Sequence, residues 1–327
     1  MTVILEKPKL VTVFGGSGFV GRHVVQALAK RGYRIRAAVR RPNLAGHLQP
    51  LGTPGQIMPV QANVRYPASL AAACAGADAV INLTGVLYSA GAQSFDAIHV
   101  FGAEASAKAA RAAKARLFIQ MSALGANEAG RAAYARSKAE GEKRARAAFP
   151  GAIVLRPSIV FGPEDGFFNR FAALSRFTPA LPLIGGGGTK FAPVYVGDVA
   201  EAVARLVDRG EADGRTYELG GPEDLTFRQL LQFILDTIGR NRMLVPVPWP
   251  IARLQGLILG LLPKPLLTVD QVDLLRTDNV VSAEARQEKR TLEGLGIAPR
   301  GIEGIVPAYL YRYRKAGQFT APRGTPE

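Results

Sequence analysis

Hydrophobic positions in the first half of the chain alternate between short β-branched runs and longer alanine-rich stretches with helical spacing. The short runs predict six strands, near Leu10–Phe14, Arg34–Val39, Gln56–Gln61, Ala79–Leu83, Leu117–Met121 and Ala152–Arg156. The longer stretches predict four helices, near Phe19–Arg31, Pro67–Cys74, Phe95–Lys114 and Arg131–Phe149. Strands joined by crossover helices form a parallel sheet with helices on both faces, so the pattern predicts a doubly wound α/β fold.

Beyond the sixth strand the alternation loosens, and prolines with a glycine run at 185–188 indicate long connections that leave the sheet. Regular structure returns as a strand and helix over 194–207, in which Asp198 is a candidate N-cap. A strand at 216–219 and a helix over 226–238 that begins with a threonine cap follow.

The first strand leads directly into a glycine-rich turn, Gly15-Gly16-Ser17-Gly18-Phe19-Val20-Gly21, which opens the first helix. In such a turn the first glycine permits a tight bend, Gly18 lets the backbone approach a pyrophosphate, and Gly21 lets helix and strand pack closely. The N–H groups and positive dipole end of the helix favour phosphate binding. Glycine is abundant, with 36 residues, so a plain turn is the alternative; the strand–turn–helix context favours a dinucleotide site.

The composition is that of a globular protein, because 48% of the 327 residues are hydrophobic and 20% are charged. The single cysteine, Cys74, excludes an internal disulfide framework, and three widely separated histidines predict no metal site. The sequence predicts neither a signal peptide nor an apolar run long enough to span a bilayer.

The net charge of +15 favours a negatively charged partner: nucleic acid, an anionic lipid or an acidic protein surface. No recognition-helix motif, zinc finger or basic stripe with interleaved aromatics occurs in the sequence, so nucleic acid is not expected. A solubilising, arginine-rich composition is an equal alternative.

Two arginines, Arg40 and Arg41, follow the second strand. A site that prefers NAD usually has an acidic residue here for the ribose 2′-hydroxyl, whereas arginine suits the 2′-phosphate of NADP. A guanidinium stays charged and binds phosphate through two hydrogen bonds. The pair therefore predicts NADP(H), with solvated loop charges as the alternative.

Small and polar residues follow two further strands, Asn63-Val64 after the third and Thr84-Gly85-Val86 after the fourth. Ligands of open α/β sheets lie beyond the carboxyl ends of the strands. We expect these residues to let an adenine and a nicotinamide ribose approach the backbone.

Tyr134 and Lys138 are four residues apart on a predicted helix, so the phenol and the ammonium share one face. A nearby cation is expected to lower the pKa of a phenol, which suits proton transfer to a carbonyl or alcohol. Ser122, at the end of the fifth strand, is a candidate to hold the reacting oxygen. A surface helix with an incidental tyrosine and lysine is the alternative, which the dinucleotide context disfavours.

These motifs, together with Arg156-Pro157, resemble the extended and atypical short-chain dehydrogenases/reductases over about residues 10–235. Segments at 148–172, 191–203 and 261–282 are more narrowly similar to the nucleotide-binding accessory subunit of respiratory complex I (NADH:ubiquinone oxidoreductase) in its bacterial form.

The resemblance implies an NADP(H)-binding Rossmann domain over 1–160, with later returns near 190–220, and a smaller C-terminal part over 161–327. It implies catalytic roles for Tyr134 and Lys138 with Ser122, in a protein whose own turnover is doubtful. It places the cofactor on Gly15, Ser17, Gly18, Phe19, Val20, Gly21, Arg40, Arg41, Asn63, Val64, Thr84, Gly85, Val86, Ser122, Tyr134, Lys138, Pro157 and Ile159.

The C-terminal part carries an apolar stripe at helical spacing behind Trp249, formed by Leu254, Leu257, Ile258, Leu261 and Leu262. The resemblance implies a position on the peripheral arm of complex I, near the membrane and the quinone entry region. With Arg253 and Lys264 beside it, the stripe predicts an amphipathic helix at an anionic membrane surface. A core helix is the alternative.

Two positions depart from the pattern of active extended reductases. Ala123 stands where those enzymes usually carry serine or threonine, and His99 stands where many carry asparagine. Because Tyr134 and Lys138 are both present, the departures favour binding of the cofactor ribose by Lys138 over catalysis by Tyr134.

The leading hypothesis is a complex I accessory subunit that holds a structural NADP(H) and supports assembly or stability at the cytoplasmic face of the bacterial inner membrane. The alternative is a free-standing NADPH-dependent reductase or epimerase, with Tyr134 as acid/base, Lys138 lowering its pKa and Ser122 orienting the substrate. A nucleotide-sensing regulatory protein of the same fold is a third hypothesis.

Overall fold

A computed structural model describes residues 9–263 and 265–315. Its strands are β1 (Leu10–Phe14), β2 (Arg34–Val39), β3 (Ile57–Gln61), β4 (Ala79–Asn82), β5 (Leu117–Met121), β6 (Ile153–Pro157), β7 (Val160–Phe161), β8 (Ala180–Ile184), β9 (Lys190–Phe191), β10 (Val194–Tyr195), β11 (Thr216–Leu219), β12 (Leu225–Thr226) and β13 (Met243–Val247). Its α-helices are α1 (Phe19–Lys30), α2 (Pro67–Cys74), α3 (Phe101–Ala112), α4 (Ala133–Ala148), α5 (Phe168–Phe177), α6 (Val196–Arg209), α7 (Phe227–Thr237), α8 (Trp249–Leu259), α9 (Val269–Leu274), α10 (Ala283–Gln287) and α11 (Val306–Leu310).

Seven strands form one parallel sheet in the order β11-β6-β5-β4-β1-β2-β3. From β1 the chain adds β2 and β3 on one side, and it then crosses back to form β4 on the other side of β1. The strand order therefore reverses between β1 and β4, which is where open α/β sheets bind ligands. This sheet, with helices on both faces, confirms the predicted doubly wound α/β fold.

Two hydrophobic cores cover the two faces of the sheet. On one face, α1 and α6 pack with residues such as Leu28 and Val203 against alternate strand positions. On the other face, α2, α3 and α4 pack around Phe118. The alternation of side chains along each strand explains why neighbouring residues of β5 belong to different cores.

The observed elements lie close to their predicted limits, with two exceptions. The stretch predicted as one helix over 95–114 divides into a π-helical segment, Asp96–Val100, and α3. Asp198 is not the N-cap of α6, because that position is Tyr195; its buried carboxylate instead accepts hydrogen bonds from the backbone N and Nε of Arg300, both at 2.8 Å. The threonine cap is confirmed, since Thr226 accepts from the backbone N of Gln229.

The chain after β6 builds a second cluster and then returns to the sheet. Helices α5, α7 and α11 share a phenylalanine-rich core, while α8 and α9 share a small cluster around Ala252 and Val272. Strand β11 joins the edge of the main sheet next to β6, and the predicted division into domains near residue 160 stays a prediction. None of the helices within the described residues is long and apolar enough to cross a bilayer.

Candidate functional site

The glycine-rich turn lies where the strand order reverses. Gly15 has φ +79°, in the left-handed region, and its N–H donates to the carbonyl of Ala38 at 3.0 Å. A Cβ on Gly15 would come within 3.4 Å of the backbone of Leu83 and Thr84, so the turn after β1 lies against the end of β4.

The turn leaves the N-terminus of α1 open to an anion. A Cβ on Gly21 would lie 2.2 Å from the carbonyl oxygen of Gly15, so only glycine fits where the helix meets the turn. Gly18 is exposed at the N-cap position. Within the described residues, no side chain caps this helix, and its first turn has no acidic residue. The N–H groups there suit a phosphate.

Arginines lie beside the end of β2. Arg40 and Arg41 are exposed, and Nη1 of Arg40 donates to Oε1 of Gln93 at 2.7 Å. Nη1 of Arg65 donates to the neighbouring carbonyl of Ala92 at 3.3 Å. The two guanidinium groups thus hold one loop. The sequence pattern did not single out Arg65, because it follows the Asn63-Val64 pair without a recognisable motif.

Asn63 and Val64, which follow β3, lie in the turn that carries Arg65. Oδ1 of Asn63 accepts from the backbone N of Arg65 at 3.1 Å, which shapes the turn that presents this arginine. Val64 is buried, and a Cβ on Gly102 would lie 3.0 Å from its side chain. Both residues therefore lie at the strand end as predicted.

Lys138 lies beneath the loop after β4. The backbone N and Oγ1 of Thr84 both donate to Oδ1 of Asn82, which shapes the loop. Gly85 is exposed, and a Cβ there would lie 3.3 Å from Nζ of Lys138. A buried ammonium under an exposed glycine suits hydrogen bonds to ribose hydroxyls approaching from the crevice.

Burial controls the protonation of Tyr134 and Lys138. Nζ of Lys138 donates to the carbonyl of Met121 at 3.3 Å and lies 5.8 Å from the ring centroid of Tyr134. Burial lowers the pKa of Lys138 to about 8. Burial, with a smaller contribution from the charge of Asp270, raises the pKa of Tyr134 to about 12. The prediction that Lys138 lowers the pKa of this phenol is therefore wrong, because desolvation dominates.

Ser122 belongs to a different network. Its hydroxyl donates to Oε1 of the buried Glu142. The same carboxylate accepts from Nε and Nη2 of Arg156, at 2.9 and 2.7 Å. A serine hydroxyl that already donates to a buried, ion-paired carboxylate has no second proton to offer a substrate oxygen. Of the three residues predicted to be catalytic, the structure brings together Tyr134 and Lys138.

His99 links the loop after β4 to α4. Its Nε2 accepts from the backbone N of Val86 at 3.0 Å, so the proton is on Nδ1, which lies 2.9 Å from Oγ of Ser137. Oγ of Ser137 in turn donates to the carbonyl of Tyr134 at 2.8 Å. Burial, and secondarily the charge of Lys138, lower the pKa of His99 to about 2, so the imidazole is neutral. Sequence reasoning noted His99 only as a departure.

The remaining predicted residues lie on three segments. Ser17 and the half-buried Val20 belong to the glycine turn and α1, and the ring of Phe19 lies 3.3 Å from the Cβ position of Gly162. The carbonyl of Pro157 accepts a hydrogen bond from the backbone N of Leu124, and the carbonyl of Ile159 accepts one from the backbone N of Val194, both at 2.9 Å.

The assembled features fit a nicotinamide dinucleotide: open N–H groups for a pyrophosphate, arginines at the end of β2, and a buried ammonium for ribose. Across residues 9–263 and 265–315, no group of three or more His, Cys, Asp or Glu side chains is placed to hold a metal ion.

Comparison with known proteins gives a family match and several relatives of similar sequence. Residues 11–220 match the model of the NAD dependent epimerase/dehydratase family. The mitochondrial NADH dehydrogenase (ubiquinone) 1 alpha subcomplex subunit 9 of Arabidopsis thaliana is 36% identical, over 94% of this chain and 79% of that protein. A ceramide reductase of Caulobacter vibrioides is 33% identical, over 74% of each chain.

A solved structure of similar fold is an NADPH-dependent quinone oxidoreductase from Escherichia coli in complex with NADPH. It has a TM-score of 0.71 and 21% identity, covering 92% of this chain and 99% of that one. A dTDP-glucose 4,6-dehydratase from Streptomyces venezuelae with NAD bound has a TM-score of 0.69 and 19% identity, covering 93% and 96%. These two structures show the same fold, and the family match over residues 11–220 shows that the chain belongs to the NAD dependent epimerase/dehydratase family of extended short-chain dehydrogenases/reductases.

Proposed function

We propose that this chain is an accessory subunit of respiratory complex I that holds NADP(H) as a structural component and supports assembly or stability. One observation carries the proposal: Ser122, predicted to orient a substrate, donates to Glu142, whereas the glycine turn and Lys138, predicted to hold a nucleotide, lie at the end of the sheet where the strand order reverses. Relatives named as complex I subunits support the choice of complex, since they match 93–96% of this chain.

The choice of NADP(H) rests on charge at the end of β2. The segment 40–46 contains Arg40 and Arg41 and no acidic residue. An arginine fork gives a 2′-phosphate charge-assisted hydrogen bonds, and there is no carboxylate in that segment to bind a ribose 2′-hydroxyl. Lys138 would hold the nicotinamide ribose, and the N-terminus of α1 would hold the pyrophosphate.

A structural role for the nucleotide rests on protonation as well as on Ser122. With its pKa at about 12, Tyr134 stays neutral near pH 7 and is a weak acid for proton transfer. Ala123, which stands where active extended reductases usually carry serine or threonine, has no hydroxyl group. The pair is therefore suited to holding a ribose through hydrogen bonds more than to turnover.

The proposal places this chain at a membrane surface, the cytoplasmic face of the bacterial inner membrane, and the apolar stripe of α8 supports the contact with a membrane. Leu254, Leu257 and Ile258 are 59%, 63% and 60% exposed, which excludes the core-helix interpretation for these residues. Leu261 and Leu262 continue the exposed stripe, and Arg253 is exposed beside it; Lys264 lies outside the described residues. A stripe of this kind on a chain with net charge +15 fits an anionic bilayer surface.

A free-standing NADPH-dependent reductase is the second candidate. It is favoured by the adjacent Tyr134 and Lys138 and by the 33% identity to the ceramide reductase. In that reaction class the carbonyl carbon gains a hydride from the nucleotide, and Tyr134 is placed to protonate the oxygen.

Co-purification tests the main proposal. We expect the tagged full-length chain, isolated from detergent-solubilised membranes of its source, to migrate on native gels with complex I and to release NADP(H) on denaturation. Migration alone, with no complex I subunits, would sink the proposal. Turnover of a carbonyl substrate that Tyr134→Phe abolishes, with complex I assembly intact, would establish the reductase instead.

The nucleotide preference can be tested by charge reversal at Arg40. We expect Arg40→Glu to weaken NADPH binding about ten- to hundredfold, because a charge-assisted hydrogen bond to phosphate is lost, and to leave NADH binding nearly unchanged. Arg34→Glu, at the other, exposed end of β2, is the matched control. Equal losses for both nucleotides, measured by titration calorimetry, contradict a 2′-phosphate site.

The pH dependence of NADPH binding should report Lys138. The ammonium form donates to ribose oxygens, so affinity should be complete below the folded-state pKa of about 8 and decline above it, by about tenfold per pH unit at most. Lys138→Met should bind weakly with a flat profile between pH 7 and pH 9. The same decline in Lys138→Met would assign the titration to another group.

Vesicle flotation tests the membrane surface. We expect Leu257→Asp and Ile258→Asp each to reduce binding to phosphatidylglycerol-containing vesicles by about tenfold or more, because a buried leucine-sized side chain contributes about 1.5–3 kcal/mol. Gln255→Asp adds the same charge to an exposed position of α8 and should reduce vesicle binding by no more than about fivefold. Unchanged binding of both apolar variants removes the membrane proposal.

A further inference from the structure

The N-terminus of α4, the helix that carries Tyr134 and Lys138, is capped by a side chain that is distant in sequence. The N-cap position of α4 is Ala132, whose methyl group cannot accept a hydrogen bond. The first two N–H groups of the helix, from Ala133 and Tyr134, instead donate to the two carboxylate oxygens of Asp270, the second at 3.1 Å. These partners are 137 and 136 residues apart in sequence.

Asp270 itself lies at the start of a helix. It is in the first turn of α9, which begins with a capping box formed by Thr268 and Gln271. The carboxylate therefore faces the N-terminal ends of two helices, whose partial positive charges both stabilise it. Among the described residues it forms no ion pair, so the helix ends are its partners.

Helix α9 packs directly against α8, which carries the exposed apolar stripe. A Cβ on Gly256 of α8 would lie 2.9 Å from the backbone of Thr268 and Val269, so the two helices are in direct contact. The guanidinium of Arg276, just after α9, lies 4.7 Å from the ring centroid of Trp249. A displacement of α8 would therefore move α9, and with it the carboxylate that caps α4.

We propose that Asp270 is a positioning residue that couples the α8 stripe to the nucleotide site, so that docking of α8 on an anionic bilayer tightens NADP(H) binding. The inference rests on the proposed function, because it takes the nucleotide at Lys138 and the bilayer at α8 from there. Docking holds α8 and α9 in place, which keeps the cap on α4 and the first turn of that helix ordered. By linkage, bound nucleotide strengthens vesicle binding by the same factor.

The test measures NADPH affinity of the full-length chain with and without vesicles of phosphatidylcholine and phosphatidylglycerol. A typical capping contribution is about 1 kcal/mol, or about fivefold in affinity, and the cap supplies part of it without vesicles and the rest on them. We therefore expect vesicles to tighten binding by about two- to threefold. Asp270→Ala should bind NADPH about two- to threefold more weakly than the unmodified chain without vesicles and show no gain on them, while still floating with them. Asp270→Asn keeps one capping oxygen and should recover part of both effects.

Asp273→Ala is the matched control, because Asp273 lies on the same helix and pairs with Arg276 instead of α4. It should behave as the unmodified chain in both assays. A full vesicle gain in Asp270→Ala, or an equal loss in Asp273→Ala, overturns the coupling. If the unmodified chain binds NADPH and vesicles independently, the coupling fails and the proposed function stands; if it binds neither, both fail.

Discussion

The candidate site depends on how closely α4 approaches the segment around His99. A Cβ on Gly141 would lie 2.1 Å from the carbonyl oxygen of His99, so the helix reaches this distance only because residue 141 is glycine. At that distance Ser137 meets the imidazole and Lys138 reaches the loop at Gly85. The π-helical turn that contains His99 belongs to the same contact, and such turns are frequent at functional sites.

Two successive turns of α4 carry side chains with different partners. Lys138 faces the crevice and forms no ion pair with a carboxylate among the described residues. Glu142, one turn later, accepts hydrogen bonds from the hydroxyl of Ser122 and the guanidinium of Arg156. Burial disfavours the charged forms of Lys138 and Tyr134 alike, yet at pH 7 the lysine, with a pKa of about 8, stays mostly protonated. A neutral phenol beside an ammonium can donate hydrogen bonds to ribose oxygens, which supports the proposed retention of a nucleotide.

Much of this could be predicted from local sequence pattern, because the decisive spacings are short. The strand–glycine–helix order around Gly15, the four-residue spacing of Tyr134 and Lys138, and the cap at Thr226 all involve neighbours along the chain. The partner of Ser122 could not be predicted, since the spacing from residue 122 to residue 142 crosses a strand end and a loop. The pKa of Tyr134 depends on burial, which a helical spacing does not report. Periodicity likewise cannot tell an apolar stripe in a core from one at a membrane, because both repeat every 3.6 residues.

Family membership leaves the function open, because relatives of this chain include both complex I subunits and a reductase. The C-terminal part matters for the proposed complex I role. It contacts the Rossmann elements through Arg300 on Asp198, through Asn279 on Ser158 and the carbonyl of Leu124, and through Asp270 on α4. Three of these four contacts lie near the candidate site: Leu124 follows β5, Ser158 follows β6, and Asp270 caps α4, the helix that bears Lys138. A part attached there is connected to the candidate nucleotide site, so the proposed binding of a nucleotide and the proposed attachment to complex I would act on one connected structure.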